Sequence, residues 1–391
     1  MKINEKIRVL GKGITAQAIN EEFDNVTLYD DNNFNEYDIN SSEVTIVSPG
    51  IPPYNKMVKN SINIMSDYDF LYESMPFSIW ISGTNGKTTT TQMCQHLLKE
   101  YGSVSGGNIG TPIAKLDKKS KIWILETSSF TLHYTNKAKP NLYILLPISE
   151  DHITWHGSFE EYKNSKLKPL DFMNEGEVAI VPKEFENYKT NATLITYNDS
   201  FELADKLNIE KSKINFKEPF LLDAILALAC KKIIFDECDY EKINLFKVDE
   251  HKVEEFYDNK NRLWINDSKA TNIDATINAL KSYENRKIHL ILGGDDKGAN
   301  IEPLFVFLKE KNIEIYAIGS NYKRILALSK KYLLKCNKTN DLENTVKKID
   351  RNYQENDIAM LSPAASSLDQ FTSYAHRGKL FKELVNSLSK Y

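Results

Sequence analysis

The chain has 391 residues, 41% of them hydrophobic and 27% charged, and a formal net charge of −4. The length exceeds one ordinary core and predicts two or three domains, and the composition excludes a disordered chain. The mild negative charge argues against a nucleic-acid partner, although it leaves room for a local basic pocket.

Cys94, Cys230, Cys238 and Cys336 form no CxxC pair, which argues for a reducing compartment and against structural zinc. No segment has the apolar length to cross a bilayer, and the N-terminus lacks the apolar core of a signal peptide. A cytoplasmic monomer without stable membrane insertion is expected.

In chain order, Ile7–Leu10 reads as a strand, followed by Gly11-Lys12-Gly13 and a helix to about Glu22. Val26–Tyr29 and Val44–Val47 are further strands, the latter ending in Ser48-Pro49-Gly50. Short apolar strands alternating with helices predict a parallel sheet, and this unit closes before Met75-Pro76. Asp30 after the second strand resembles a ribose-binding acid.

The next segment is the most informative. Ser78-Ile79-Trp80-Ile81-Ser82 reads as a buried strand, Gly83-Thr84-Asn85-Gly86 as a tight turn, and Lys87-Thr88-Thr89 as a helix start. That arrangement points backbone N–H groups and a lysine at a phosphate. It departs from the strict G-x-x-x-x-G-K-[ST] pattern, because Ile81 stands at the first glycine position. Thr88 offers a hydroxyl for magnesium.

Strands follow at Ile122–Leu125, Leu142–Leu146 and Val178–Val181, and Phe220–Cys230 reads as a buried helix. Glu126 ends the first of these strands and supplies the hard oxygen that magnesium prefers. Asp151-His152 offers a histidine for metal or substrate. Composition alone does not mark Lys166 on its helix.

A last unit from Lys247 carries strands at Leu263–Ile265, Ile288–Leu292, Ile313–Ile318 and Ile358–Leu361. Asn266–Asn272, Gly293–Gly298 and Ser362–Ser367 follow three of them, so all three loops are predicted at one edge of a parallel sheet, where ligands bind. From about Lys379 to Leu388, Leu380, Leu384 and Leu388 form a core stripe.

Taken together, Gly83–Thr89, Gly107-Asn108-Ile109-Gly110, Glu126–Phe130, Asp151-His152 and Asn266–Asn272 closely resemble the Mur ligase family of peptidoglycan synthesis. Leu361–Phe371, Gly293–Lys297 and the short N-terminal domain are similar to the member that joins D-glutamate to UDP-N-acetylmuramoyl-L-alanine.

The resemblance implies an α/β chain of three domains. Residues 1–76 would form a small Rossmann-like domain for the uridine nucleotide, 77–246 a central P-loop ATPase domain, and 247–391 a Rossmann-like domain that brings D-glutamate and closes over the site. It implies that Gly11, Gly13, Ile14, Thr15, Ser48 and Gly50 face the UDP group, and that Asn108 and His152 touch the muramoyl-alanine.

Gly83, Thr84, Asn85, Gly86, Lys87, Thr88 and Thr89 would hold ATP, with Lys252 and Asp267 completing the nucleotide contacts. Thr88, Glu126 and a carbon dioxide-derived carbamate on Lys166 would hold Mg2+, two ions in all. Lys87, Glu126, His152 and Lys166 would be catalytic. Lys269, Thr271, Lys297, Ser367 and Tyr374 would surround D-glutamate, whose paired carboxylates need cations and hydroxyl donors.

The chain departs from the family in three places. Pro219–Ala224 replaces an His-Asn-x-x-Asn-Ala segment, His251-Lys252 replaces His-Arg, and Tyr374 replaces a phenylalanine. The alternatives are a sister ligase with another acceptor, of Mur or folylpolyglutamate type, and a nucleotide-gated binding module that makes no amide.

Overall fold

A computed structural model describes residues 6–388. The chain divides into two compact units. One holds the residues up to Phe216 together with Phe220–Phe246; the other holds Lys217–Pro219 and the chain from Lys247 onward.

The first unit contains two sheets. The smaller is β1 (Ile7–Leu10), β2 (Val26–Tyr29), β3 (Thr45–Val47) and β4 (Ile64–Met65), in the order β2-β1-β3-β4. The larger is β5 (Phe77–Ser82), β6 (Ser103–Gly107), β7 (Ile122–Glu126), β8 (Leu142–Leu145), β9 (Val178–Pro182) and β10 (Thr193–Tyr197), in the order β10-β9-β8-β5-β7-β6. Every pairing in its ladders is parallel.

Parallel strands covered on both faces read as continuous apolar runs, and β5 shows why. Ile79 and Ile81 point into a core shared with the helices Lys87–Leu98 and Phe220–Phe235. Trp80 points into the opposite core, which also takes in Ile7, Val9 and Ile46 of the small sheet. That shared core explains why the two sheets make one compact unit.

The second unit contains β11 (Glu254–Tyr257), β12 (Leu263–Asn266), β13 (Ile288–Leu292), β14 (Ile313–Ile318), β15 (Lys335–Asn340) and β16 (Ile358–Leu361), ordered β11-β12-β16-β13-β14-β15. β12, β16 and β13 are adjacent and parallel, so the three predicted loops do open at one edge. The loops also bond to one another: Gly293 N donates to Pro363 O (2.9 Å) and Asp295 N to Ser366 O (2.9 Å).

The structure adds to the sequence reading in two respects. β11 runs antiparallel to β12, so this sheet is mixed. The last helix is Tyr374–Asn386, starting six residues before Leu380, because Ser373 caps it by accepting from His376 N, and ending before Leu388, which the sequence reading placed on it. Among the described residues, no helix is long and apolar enough to cross a membrane.

Candidate active site

The site is built where β5 and β7 end. Gly83 (φ 137°) and Gly86 (φ 87°) take left-handed backbone that favours glycine. Space excludes a side chain as well. A Cβ on Gly83 would lie 2.5 Å from Leu146 Cβ, and one on Gly86 would lie 2.7 Å from Asp223 Oδ1.

The helix Lys87–Leu98 has no side-chain cap and no acid in its first turn. Its N–H groups and dipole therefore suit an anion. Lys87 Nζ donates back to Gly83 O (2.9 Å) and Thr84 O (2.8 Å), which holds the ammonium at the loop.

Glu126 stands beside Ile81 in the parallel register of β5 and β7 and is 2% exposed. Its two oxygens take different partners. Thr88 Oγ1 donates to Oε2 at 2.8 Å, and Asn108 Nδ2 donates to Oε1 at 2.6 Å. A metal must compete with only one hydroxyl for the first of these oxygens.

Lys166, on the helix Phe159–Leu167, is 1% exposed. Its Nζ donates to Gly83 O at 2.7 Å, the same carbonyl that Lys87 uses, and lies 4.7 Å from the centroid of the Tyr162 ring. Burial, and then the charge of Lys87, push this amine well below the usual lysine range, while Asp151 and Glu126 oppose the shift. Sequence reasoning gave Tyr162 no role, yet its hydroxyl meets Thr84 Oγ1 at 2.9 Å. Its place one turn before Lys166 was the available signal.

His152 has φ 53° and an exposed ring standing edge-on to Phe130, centroids 4.7 Å apart. Its N–H donates to Asp151 Oδ1 (2.8 Å). Asn85 and Thr89 complete the loop and the first helical turn. The departure at Pro219–Ala224 has a structural reading. Asp223 is buried and accepts from Thr90 Oγ1 (2.8 Å), tying together the two helices beside the loop.

The residues suit a nucleotide with magnesium. Glycines that no Cβ can replace form the cradle, and Thr88 and Glu126 supply hard oxygens at one place. Among the described residues, no group of three His, Cys, Asp or Glu could hold a metal.

In the small sheet, Gly11 (φ 107°) packs on Ser48, where a Cβ would lie 2.8 Å from Ser48 Oγ. That hydroxyl is buried with no hydrogen-bond partner among the described residues. Gly13 and Gly50 border open space, Ile14 is 76% exposed, and Thr15 is half-buried. Lys12 pairs with Asp30 at 3.0 Å.

In the second unit, Lys269, Thr271 and Lys297 are exposed, and Lys269 Nζ lies 4.1 Å from the Tyr374 ring centroid. Ser367 is 2% exposed. Lys252 pairs with Asp249 (3.0 Å).

Asp267 is buried. It accepts from Ser362 Oγ (2.6 Å) and Val253 N (3.2 Å), and burial pushes it up to about 7 against the pull of those bonds and of Arg377. Sequence reasoning missed Arg377. It is fully buried, donating to Ser268 Oγ (3.0 Å), Ser268 O (2.9 Å) and Ala365 O (3.2 Å), and so joins two of the three loops.

Residues 81–219 match the family model of the Mur ligase middle domain. The chain is 51% identical to a UDP-N-acetylmuramoylalanine–D-glutamate ligase of Campylobacter jejuni, covering 98% of this chain and 100% of that protein. It is 43% identical to the one from Helicobacter pylori, over 97% and 99%. Among solved structures it is similar to the MurF ligase of Thermotoga maritima in complex with ADP, with TM-score 0.59 and 16% identity over 98% of this chain and 95% of that one.

Proposed function

The chain belongs to the Mur ligase family, and from that premise we propose that it adds D-glutamate to UDP-N-acetylmuramoyl-L-alanine, with ATP as the energy source, in peptidoglycan precursor synthesis. The observation that carries this reading is the meeting of Lys87 and Lys166 on Gly83 O, beside the Thr88–Glu126 pair.

A free carboxylate is a poor acyl donor because its leaving group would be oxide. Its oxygen attacks the γ-phosphorus of ATP, ADP departs, and an acyl phosphate forms. Lys87 and the first N–H groups of its helix offset charge on the transferring phosphoryl oxygens. The amine of D-glutamate then attacks the acyl carbon. The tetrahedral intermediate expels phosphate, carrying the original carboxylate oxygen with it, and the amine loses a proton to leave the amide. His152 is suited to steady the oxyanion of that intermediate.

Magnesium bound by Thr88, Glu126 and a carbamate on Lys166 would supply further charge neutralisation at the phosphates. A depressed amine pKa supports the carbamate, since only the neutral amine reacts with carbon dioxide. Asn108, held on Glu126 Oε1, is suited to reach the muramoyl-alanine. Gly11, Gly13, Ile14, Thr15, Ser48 and Gly50 are assigned to the uridine nucleotide; the unpartnered Ser48 hydroxyl supports that assignment.

Asp267 and Lys252 are assigned to the nucleotide, and Lys269, Thr271, Lys297, Ser367 and Tyr374 to the acceptor. The division at 76/77 and 246/247 into three domains belongs to the same reading. Incubation with ATP, UDP-N-acetylmuramoyl-L-alanine and a panel of D- and L-amino acids tests it. The expected outcome is one amide product, with D-glutamate, formed together with ADP and phosphate. ATP turnover without amide, or equal use of L-glutamate, contradicts it.

A further inference from the structure

A buried histidine that the reaction above does not use lies between the two helices that flank the site. His156 is 8% exposed and ends the short helix Ile153–His156. Its Nε2 is 3.0 Å from Ser129 Oγ, at the start of the helix Ser129–Tyr134 that follows Glu126. Its Nδ1 is 3.5 Å from Ser165 Oγ, the residue next to Lys166.

Proton counting fixes the pattern. Ser165 has one hydroxyl proton, and it goes to Glu161 O at 2.8 Å. Ser165 Oγ can therefore only accept, from His156 Nδ1 and from His133 Nδ1, the latter at 3.4 Å. Each imidazole then carries its proton on Nδ1, and His156 Nε2 accepts the Ser129 hydroxyl proton. Burial, and then the neighbouring His133, His152 and Lys166, push His156 down to about 3, which favours a neutral ring near neutral pH. The ring is also stacked on Phe130 (centroids 5.6 Å) and meets Tyr162 edge-on (5.4 Å).

We propose that His156 is a positioning residue that clamps the turn after Glu126 to the turn bearing Lys166, through Ser129 and Ser165, and so sets the spacing of the two groups assigned to the metal. This rests on the ligase reading above. It predicts that the clamp acts on turnover and on Lys166 chemistry rather than on substrate affinity.

The test compares wild type, His156→Phe, His156→Gln and Ser129→Ala in the full ligase assay at varied bicarbonate. His156→Phe keeps the ring and loses both polar contacts. It is expected to lower kcat at least about tenfold, the effect of losing one or two net hydrogen bonds, to leave KM for ATP within about twofold, and to raise the bicarbonate needed for half-maximal turnover. His156→Gln restores part of kcat, and Ser129→Ala shows the same pattern more weakly.

Wild-type kcat in both His156→Phe and Ser129→Ala overturns the proposal. So does a fall in folded fraction with unchanged turnover per folded molecule. If His156→Phe does not fold, Ser129→Ala decides alone. A wild-type protein that makes no amide would instead sink the ligase reading.

Discussion

The loop end of β5 and the three-loop edge formed by β12, β13 and β16 carry charge in opposite ways. At β5, Glu126 and Lys166 are buried, and every group is already tied down: Thr88 bonds Glu126 at 2.8 Å, and Lys87 and Lys166 both bond Gly83 O, at 2.9 and 2.7 Å. At the other edge the cations assigned to the acceptor, Lys269 and Lys297, are exposed, while the buried charges, Asp267 and Arg377, brace the loops from beneath. Phosphoryl chemistry gains most from dipoles fixed before reaction. An amino-acid acceptor can be gripped by flexible lysines at the cost of ordering them on binding. The two regions therefore predict different kinetic signatures.

The largest effects belong to the β5 end. Lys87→Ala is expected to cut turnover by on the order of a hundred- to a thousandfold, as for the loss of one preorganised donor, with circular dichroism and melting unchanged. Near-normal turnover removes Lys87 from its role. Lys166→Ala is expected to be inactive and partly rescued by a small added carboxylate; full activity without additive rejects the carbamate.

At the other edge, Lys269→Ala or Lys297→Ala is expected to raise KM for D-glutamate by about tenfold, in the range of a lost charge-assisted hydrogen bond, with KM for ATP unchanged. A pure kcat defect would erase the contrast between the two regions.

The smallest effect concerns stability. Asp67 is buried, its Oδ1 has no hydrogen-bond partner among the described residues, and burial pushes it up to about 7. The unfolded chain gives up this proton near the ordinary aspartate value of 3.8, so between about pH 4 and pH 7 the folded state binds more protons and stability falls as pH rises. Asp67→Asn removes that slope. Urea melts at intervals from pH 5 to pH 8 should show a flatter profile than wild type; an identical profile contradicts the assignment.

Most of this architecture was legible in the sequence, because strands buried on both faces are continuous apolar runs. β5, β7, β8, β13, β14 and β16 announced themselves in that way. The strands that escaped were those lacking two covered faces. β15, Lys335-Cys336-Asn337-Lys338-Thr339-Asn340, is a polar edge strand, β4 has two residues, β11 alternates exposed and half-buried positions at the other edge of its sheet, and β6 and β10 are the two edges of the larger sheet.

At the site, the glycine-rich turn and the acid at a strand end could be read from their spacing. Lys166 could not, because a lysine on a helix is ordinarily solvated, and only its resemblance to a family position marked it. Arg377 and His156 gave no local signal at all. Their importance depends on loops and helices distant in sequence meeting around them.

The most direct test of phosphoryl activation at this loop follows an oxygen atom. UDP-N-acetylmuramoyl-L-alanine labelled with 18O in its carboxylate is turned over with ATP and D-glutamate, and the released phosphate is examined by mass spectrometry. The prediction is one labelled oxygen in each phosphate derived from the γ-position, because the carboxylate oxygen leaves with it. Amide formation with unlabelled phosphate would contradict the acyl-phosphate route.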